Sequence, residues 1–223
     1  MGNFDKVLAL HIGKESVNYL QDKDLGNFNW AKSIGEDSFI KLELQEFLSR
    51  YCWVVYASGF RFSTIKVLFP QIAEAFKGFK PDSLCRMRSI KPVLAVFNNE
   101  RKARSFLSGA KQVIEEGFPA FKDRLRNGGP DILLELGGIG PITKDHLAKN
   151  IGLADVAKAD IWLQRAADIC GAPSVDKLVR YLSVKLGFSA HVIDIALWTY
   201  AKDGELLEFA KGVKGNAFKW KTK

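Results

Sequence analysis

A chain of 223 residues exceeds the ~100–200 residues of a typical single domain, so it has room for one large core or two closely packed halves. Its 47% hydrophobic and 26% charged residues match an ordinary globular protein, and no apolar run approaches the ~20 residues that span a bilayer, which argues against membrane insertion. Lys and Arg number 33 against 25 Asp and Glu, and the net charge of +8 favours a polyanionic partner held through phosphate contacts and counterion release.

The opening MGNFDKVLALHIG lacks the basic, apolar and small-residue zones of a signal peptide, so a cytoplasmic protein is expected, nucleoid-associated in a prokaryote. Apolar residues then recur at helical spacing almost throughout, while alternating strand patterns are scarce, which predicts an all-α fold. Residues 37–56 read as one long helix that turns apolar all round at YCWVVYA, as befits a buried element, and Ser58 and Gly59 end it. Residues 63–76 form a second helix that Pro70 should kink or restart. A third opens at Pro81 and Asp82 and stops before Pro92. In residues 99–117, Ala103, Phe106, Leu107, Ala110, Val113 and Ile114 share one stripe. Arg101, Lys102, Arg104, Lys111 and Glu115 fall off it, which makes this a surface helix.

Residues 129–153, GPDILLELGGIGPITKDHLAKNIGL, read as helix, glycine hairpin, helix. Gly137, Gly138 and Gly140 allow backbone angles closed to other residues, and Pro141 suits a first helical position because it needs no donor there. Amides around Gly138 to Thr143 would face outward beside a positive helix end, a ready phosphate site. Residues 160–170, 174–186 and 189–202 complete the helices, opened by Asp160, Ser174 and Ser189 and closed by Gly171, Gly187 and Gly204. The tail KGVKGNAFKWKTK, with Lys211, Lys214, Lys219, Lys221 and Lys223, reads as a solvated end. Cys52, Cys85 and Cys170 are too few and too scattered for a disulfide framework or a metal site and read as reduced core thiols. His11, His146 and His191 show no zinc spacing.

The run LGGIGPIT resembles the hairpin of the helix-hairpin-helix DNA glycosylase superfamily, whose members include endonuclease III and the alkyladenine and oxoguanine glycosylases. In that family the hairpin is followed by a second helix, a short loop and an aspartate opening the next helix. VAKADIWLQRAA supplies Asp160 here, with Arg165 five residues on. Similarity of pattern extends over roughly residues 39–200.

The resemblance implies a two-lobed all-α fold with the active-site cleft between the lobes. Residues 1–36 and 161–223 would form the terminal lobe, and residues 37–160 the central one. Double-stranded DNA would be the partner of a monomer, and a modified or alkylated base would be flipped into the cleft, since its glycosidic bond is inaccessible inside the stack. Asp160 would stabilise the oxocarbenium-like sugar and position water, leaving an abasic site.

By the same resemblance, Gly138, Ile139, Gly140 and Thr143 would hold the DNA backbone, and Lys144 would contact a phosphate or stand as a plain exposed lysine. Ile142 and His146, four residues apart, share the helical face that lines the base pocket in relatives. Trp162, Trp53 and Tyr56 would offer stacking surfaces. Phe60 or Arg61 would fill the gap left by the flipped base, unless Phe60 is core and Arg61 surface.

Strand-cleaving relatives carry a lysine where this chain has Ile142. Lys144 is roughly 200 degrees further round the helix at ~3.6 residues per turn, so a monofunctional enzyme is expected. With no cysteine beyond Cys170, no iron–sulfur cluster is expected. No cofactor or catalytic metal is implied, and a structural monovalent cation at the hairpin is allowed. Two alternatives stay open: action on hypermodified phage bases in antiviral defence, and a non-catalytic DNA-binding module.

Overall fold

A computed structural model describes residues 4–215 and 218–220. They form fourteen α-helices and two 3₁₀ helices with no strand, so the expected all-α class is what the chain adopts. In chain order the first seven helices are α1 (Lys6–Lys23), α2 (Leu25–Ser33), α3 (Glu36–Lys41), α4 (Leu44–Ala57), α5 (Phe62–Ala75), α6 (Pro81–Arg86) and α7 (Lys91–Val96). The rest are α8 (Glu100–Glu116), α9 (Phe118–Gly128), α10 (Pro141–Asn150), α11 (Ile161–Ile169), α12 (Val175–Leu186), α13 (Ala190–Lys202) and α14 (Glu205–Lys214). None of the described helices is long and apolar enough to cross a membrane.

Two compact units emerge, one of Met1–Ile34 with Asp155–Lys223 and one of Gly35–Ala154. The boundary after Ala154 puts Asp160 in the terminal unit, not at the end of the central lobe where the resemblance implies it.

The terminal unit is built on α1 against α13. Ile12, Val17 and Leu20 meet Ile193 and Leu197, with Leu163, Ala166, Leu178 and Leu182 closing the core. Each such buried Val, Leu or Ile side chain contributes roughly 1.5–3 kcal/mol of apolar transfer. Gly13 has no side chain because a Cβ there would overlap Leu182. Side-chain oxygens start these helices: Asp5 accepts from the Leu8 amide at 2.9 Å, Ser174 from Lys177 at 3.1 Å and Ser189 from Val192 at 3.3 Å. Gly187, left-handed at φ 72°, ends α12. The lysine tail is more structured than its composition suggests. Lys211 and Lys214 occupy the last turn of α14, where cations complement the helix dipole, and Trp220 packs against the core. Lys219 is exposed, and Lys221 and Lys223 lie outside the described residues.

The central unit has an aromatic core in which Phe47, Tyr51, Phe76, Phe106 and Phe121 are fully buried. Edge-to-face pairs such as Phe76 with Phe106, 4.6 Å between centroids, orient it. The helix expected over residues 37–56 is two helices, because α3 ends at Lys41 and α4 begins at Leu44. Lys122 of α9 donates to the Ile40 carbonyl at 2.8 Å and the Leu42 carbonyl at 3.2 Å, taking acceptors that a continuing helix would use internally. By contrast, α5 runs unbroken through Pro70, held by the buried Ile65 and Ile72. Cys52 and Cys170 are buried, and burial pushes both thiols above their ordinary pKa, Cys170 to about 11. Cys85 is exposed, so it is not the core thiol expected of it.

Candidate functional site

Asp160 is the N-cap of α11, with extended backbone at φ −90° and ψ −178°. Its Oδ1 accepts from the Trp162 amide at 2.9 Å and from the Leu163 amide at 3.3 Å. Its Oδ2 faces the ammonium of Lys158 at 3.2 Å. One carboxylate oxygen is thus locked by the helix start and the other is turned toward a cation.

The loop in front of α11 is pinned to α13. The Lys158 amide donates to the buried carboxylate of Asp194, and Asp155 accepts from the His191 amide at 3.1 Å. The Asp160 amide in turn donates to the Lys158 carbonyl at 2.7 Å. Trp162, expected as a stacking surface, is partly buried on the first turn of α11. The Arg165 guanidinium lies over its ring at 4.9 Å and over that of Trp220 at 5.0 Å.

In the central unit the helix expected before the hairpin is a 3₁₀ helix, Gly129–Glu135. Of the three hairpin glycines, Gly138 has the left-handed backbone, φ 80°. Gly137 is needed for a different reason, because a Cβ would strike the Ser105 carbonyl at 2.5 Å. Gly140 is extended, at φ −124° and ψ −177°, and open to a side chain, so the expectation of special backbone angles at all three holds for Gly138 alone.

The hairpin also uses some of the amides expected to face outward. Ile139 donates to the Leu136 carbonyl at 3.1 Å and Gly140 to Thr143 Oγ1 at 2.7 Å, whose hydroxyl returns a bond to the Gly140 carbonyl at 3.1 Å. Thr143 is therefore a buried clasp for the turn. The Lys144 amide donates to the Gly140 carbonyl at 2.8 Å, and Pro141 at the first position of α10 has no amide to offer. Lys144 is partly exposed and not free, since its amine donates to Asp131 at 2.6 Å, which raises its pKa above the usual lysine value.

Beside the hairpin is a cavity of 340 Å³ lined by Val55, Ser58, Arg101, Lys102, Ser105, Gly138, Ile139 and Gly140. Lys102, assigned from periodicity to the solvent side of its helix, is buried instead. Its amine donates to the Val55 and Ser58 carbonyls at the end of α4 and lies 5.3 Å from the ring centre of Phe60. Desolvation, with Arg101 adding repulsion, pushes its pKa down to about 8. Phe60 is exposed, and its ring meets that of Phe97 edge to face, 4.9 Å between centroids. Arg61 is exposed at the start of α5.

The remaining pocket candidates separate. Ile142 is exposed and His146 half-buried on α10. Trp53 is half-buried against the edges of Phe62 and Phe69. Tyr56 is fully buried against Phe76 and Phe97, so it presents no face to a base and is a core residue. Two residues that shape these sites, Lys158 and Lys102, carried no sequence signal, since their roles depend on acceptors distant in the chain. Among the described residues no group of three or more His, Cys, Asp or Glu is placed to hold a metal ion. Comparison of the chain with protein-family models, with curated proteins and with solved structures found no match.

Proposed function

We propose that this chain is a monofunctional DNA glycosylase that hydrolyses the bond between a flipped-out modified base and its deoxyribose, with Asp160 as the catalytic carboxylate. The observation that carries the reading is the fixed carboxylate of Asp160, immobilised through Oδ1 by two amides of α11, with Oδ2 turned away from the cap and toward the Lys158 ammonium at 3.2 Å. Such an anion is preorganised: it stabilises positive charge growing on the anomeric carbon without reorienting, which is where electrostatic catalysis gains most. Beneath the same oxygen a water can be held and deprotonated as the base departs.

The motif order supports the same chemistry. A hairpin in which a left-handed Gly138 leads into the N-terminus of α10 is suited to a backbone phosphate, and the net charge of +8 suits a polyanion. A basic cavity bearing Arg101 and Lys102 adjoins that hairpin.

The test uses duplexes carrying single alkylated, oxidised, deaminated or glycosylated bases, incubated with the protein and then heated in alkali. Breakage at the modified position alone, absent with Asp160→Asn, supports the reading. Intact strands across the whole panel would overturn it. Breakage before alkali would replace the monofunctional mechanism with a strand-cleaving one.

A further inference from the structure

In the free protein the catalytic carboxylate proposed above is masked. Asp160 Oδ1 is committed to the Trp162 and Leu163 amides, so Oδ2 is the oxygen left to face a sugar, and the Lys158 ammonium lies 3.2 Å from it. A carboxylate neutralised by an adjacent ammonium offers little field to a developing cation. For Asp160 to act, Lys158 needs another anion.

The anchoring of Lys158 permits such an exchange. Its backbone is fixed at both ends, the amide on the buried Asp194 and the carbonyl receiving the Asp160 amide at 2.7 Å. Its side chain is a flexible four-carbon stem, still partly exposed, so the ammonium can pivot about a rigid root without disturbing the α11 cap. The anion that arrives together with a nucleotide's sugar is its own phosphodiester.

We infer that Lys158 is an exchangeable phosphate-binding residue: it neutralises Asp160 in the free protein and passes to a backbone phosphate of the bound nucleotide, exposing the Asp160 charge only when nucleic acid is present. This rests on Asp160 being the catalytic group, but the exchange is read from binding alone. No bond is made or broken; one ion pair replaces another.

The experiment is a double-mutant cycle of affinity, measured by fluorescence anisotropy with the full chain and an unmodified duplex over a series of salt concentrations. Lys158→Met removes one phosphate contact, so the slope of log K against log salt falls by about one. Asp160→Asn keeps the cap but frees Lys158, so affinity rises, on the order of two- to fivefold, the weight of a partly exposed ion pair. In the Lys158→Met background that rise disappears. Lys158→Gln repeats the measurement should Lys158→Met fold poorly, and Lys158→Arg retains the wild-type slope.

An unchanged slope in both Lys158→Met and Lys158→Gln, or an equal effect of Asp160→Asn with and without Lys158, overturns the exchange. Should the cycle behave as expected while no modified duplex loses its base, the exchange stands and the glycosylase reading fails. Should bases be released without any coupling in the cycle, the converse holds.

Discussion

The hydroxyl of Tyr51 occupies the space that a side chain on Gly109 would need, and from there it donates to the Gly137 carbonyl at 2.5 Å. A buried phenol on α4 thus ties the hairpin to the unit's core through a gap left in α8 by a residue without a Cβ. Gly109→Ala forces the ring aside and should destabilise the protein by about 1–3 kcal/mol. Tyr51→Phe keeps the ring but strips the donor from a partly buried carbonyl, at about 1–2 kcal/mol. Urea unfolding of both variants checks this, and a Gly109→Ala protein as stable as the parent would show that the ring has room to move.

The hairpin glycines should behave unequally. Gly138→Ala places a Cβ at φ 80°, with Val55 Cγ1 at 3.2 Å, and should cost about 1–2 kcal/mol from the left-handed backbone alone. Gly140→Ala meets only Thr143 Oγ1 at 4.0 Å from an extended backbone, and removing chain entropy should leave it neutral or up to ~1 kcal/mol more stable. Parallel thermal melts rank the two, and the reverse order would contradict the hairpin geometry.

These contrasts mark what the sequence could and could not convey. Periodicity identified helices correctly where each buries a single stripe, as in α8, and cap residues located the starts of α11, α12 and α13 at Asp160, Ser174 and Ser189. It failed where a distant side chain intervenes. The break between α3 and α4 is stabilised by Lys122, about 80 residues downstream, which no local pattern announces. Lys102 misled for the same reason: charge sends a lysine to the surface in a helical wheel, yet its amine is buried on carbonyls of α4. Asp160 was legible as a cap because an aspartate directly before a helical apolar pattern is itself a start signal. Lys158, two positions earlier, was not, because its significance lies in a side-chain rotamer and in Asp194.

Lys102 makes stability depend on alkaline pH. In the unfolded chain its pKa is near ~10.4, and in the fold it is about 8, so between these values the unfolded state binds more protons. The cost of burying the ammonium is therefore present below about pH 8 and is relieved as pH rises toward 10. Relative to Lys102→Met, the wild-type protein should gain stability between pH 7 and pH 10 in urea titrations at constant ionic strength. A difference that stays flat across that range would mean the amine keeps its proton in the fold.

Arg165 between Trp162 and Trp220 ties the chain after α14 to the helix that Asp160 caps. Trp220→Ala should lower stability by about 0.5–2 kcal/mol, and the loss should be coupled to Arg165. In the cycle with Arg165→Ala, the Trp220→Ala effect should shrink by at least about 0.5 kcal/mol. Additive losses would leave Trp220 as an independent apolar contact.

Asp160 carries two duties that substitution can separate. As an N-cap it satisfies the Trp162 and Leu163 amides, and the carbonyl oxygen of an asparagine can take both bonds. Asp160→Asn should therefore melt close to the parent, while Asp160→Ala loses about 1 kcal/mol with the cap. On the glycosylase reading, base release depends on the negative charge instead, and both variants should lose at least about a hundredfold in single-turnover rate. Stability and activity then diverge: Asn preserves the first and abolishes the second. An Asn variant that releases base at the parental rate would leave Asp160 as a cap alone and move the search for the catalytic group elsewhere in the fold.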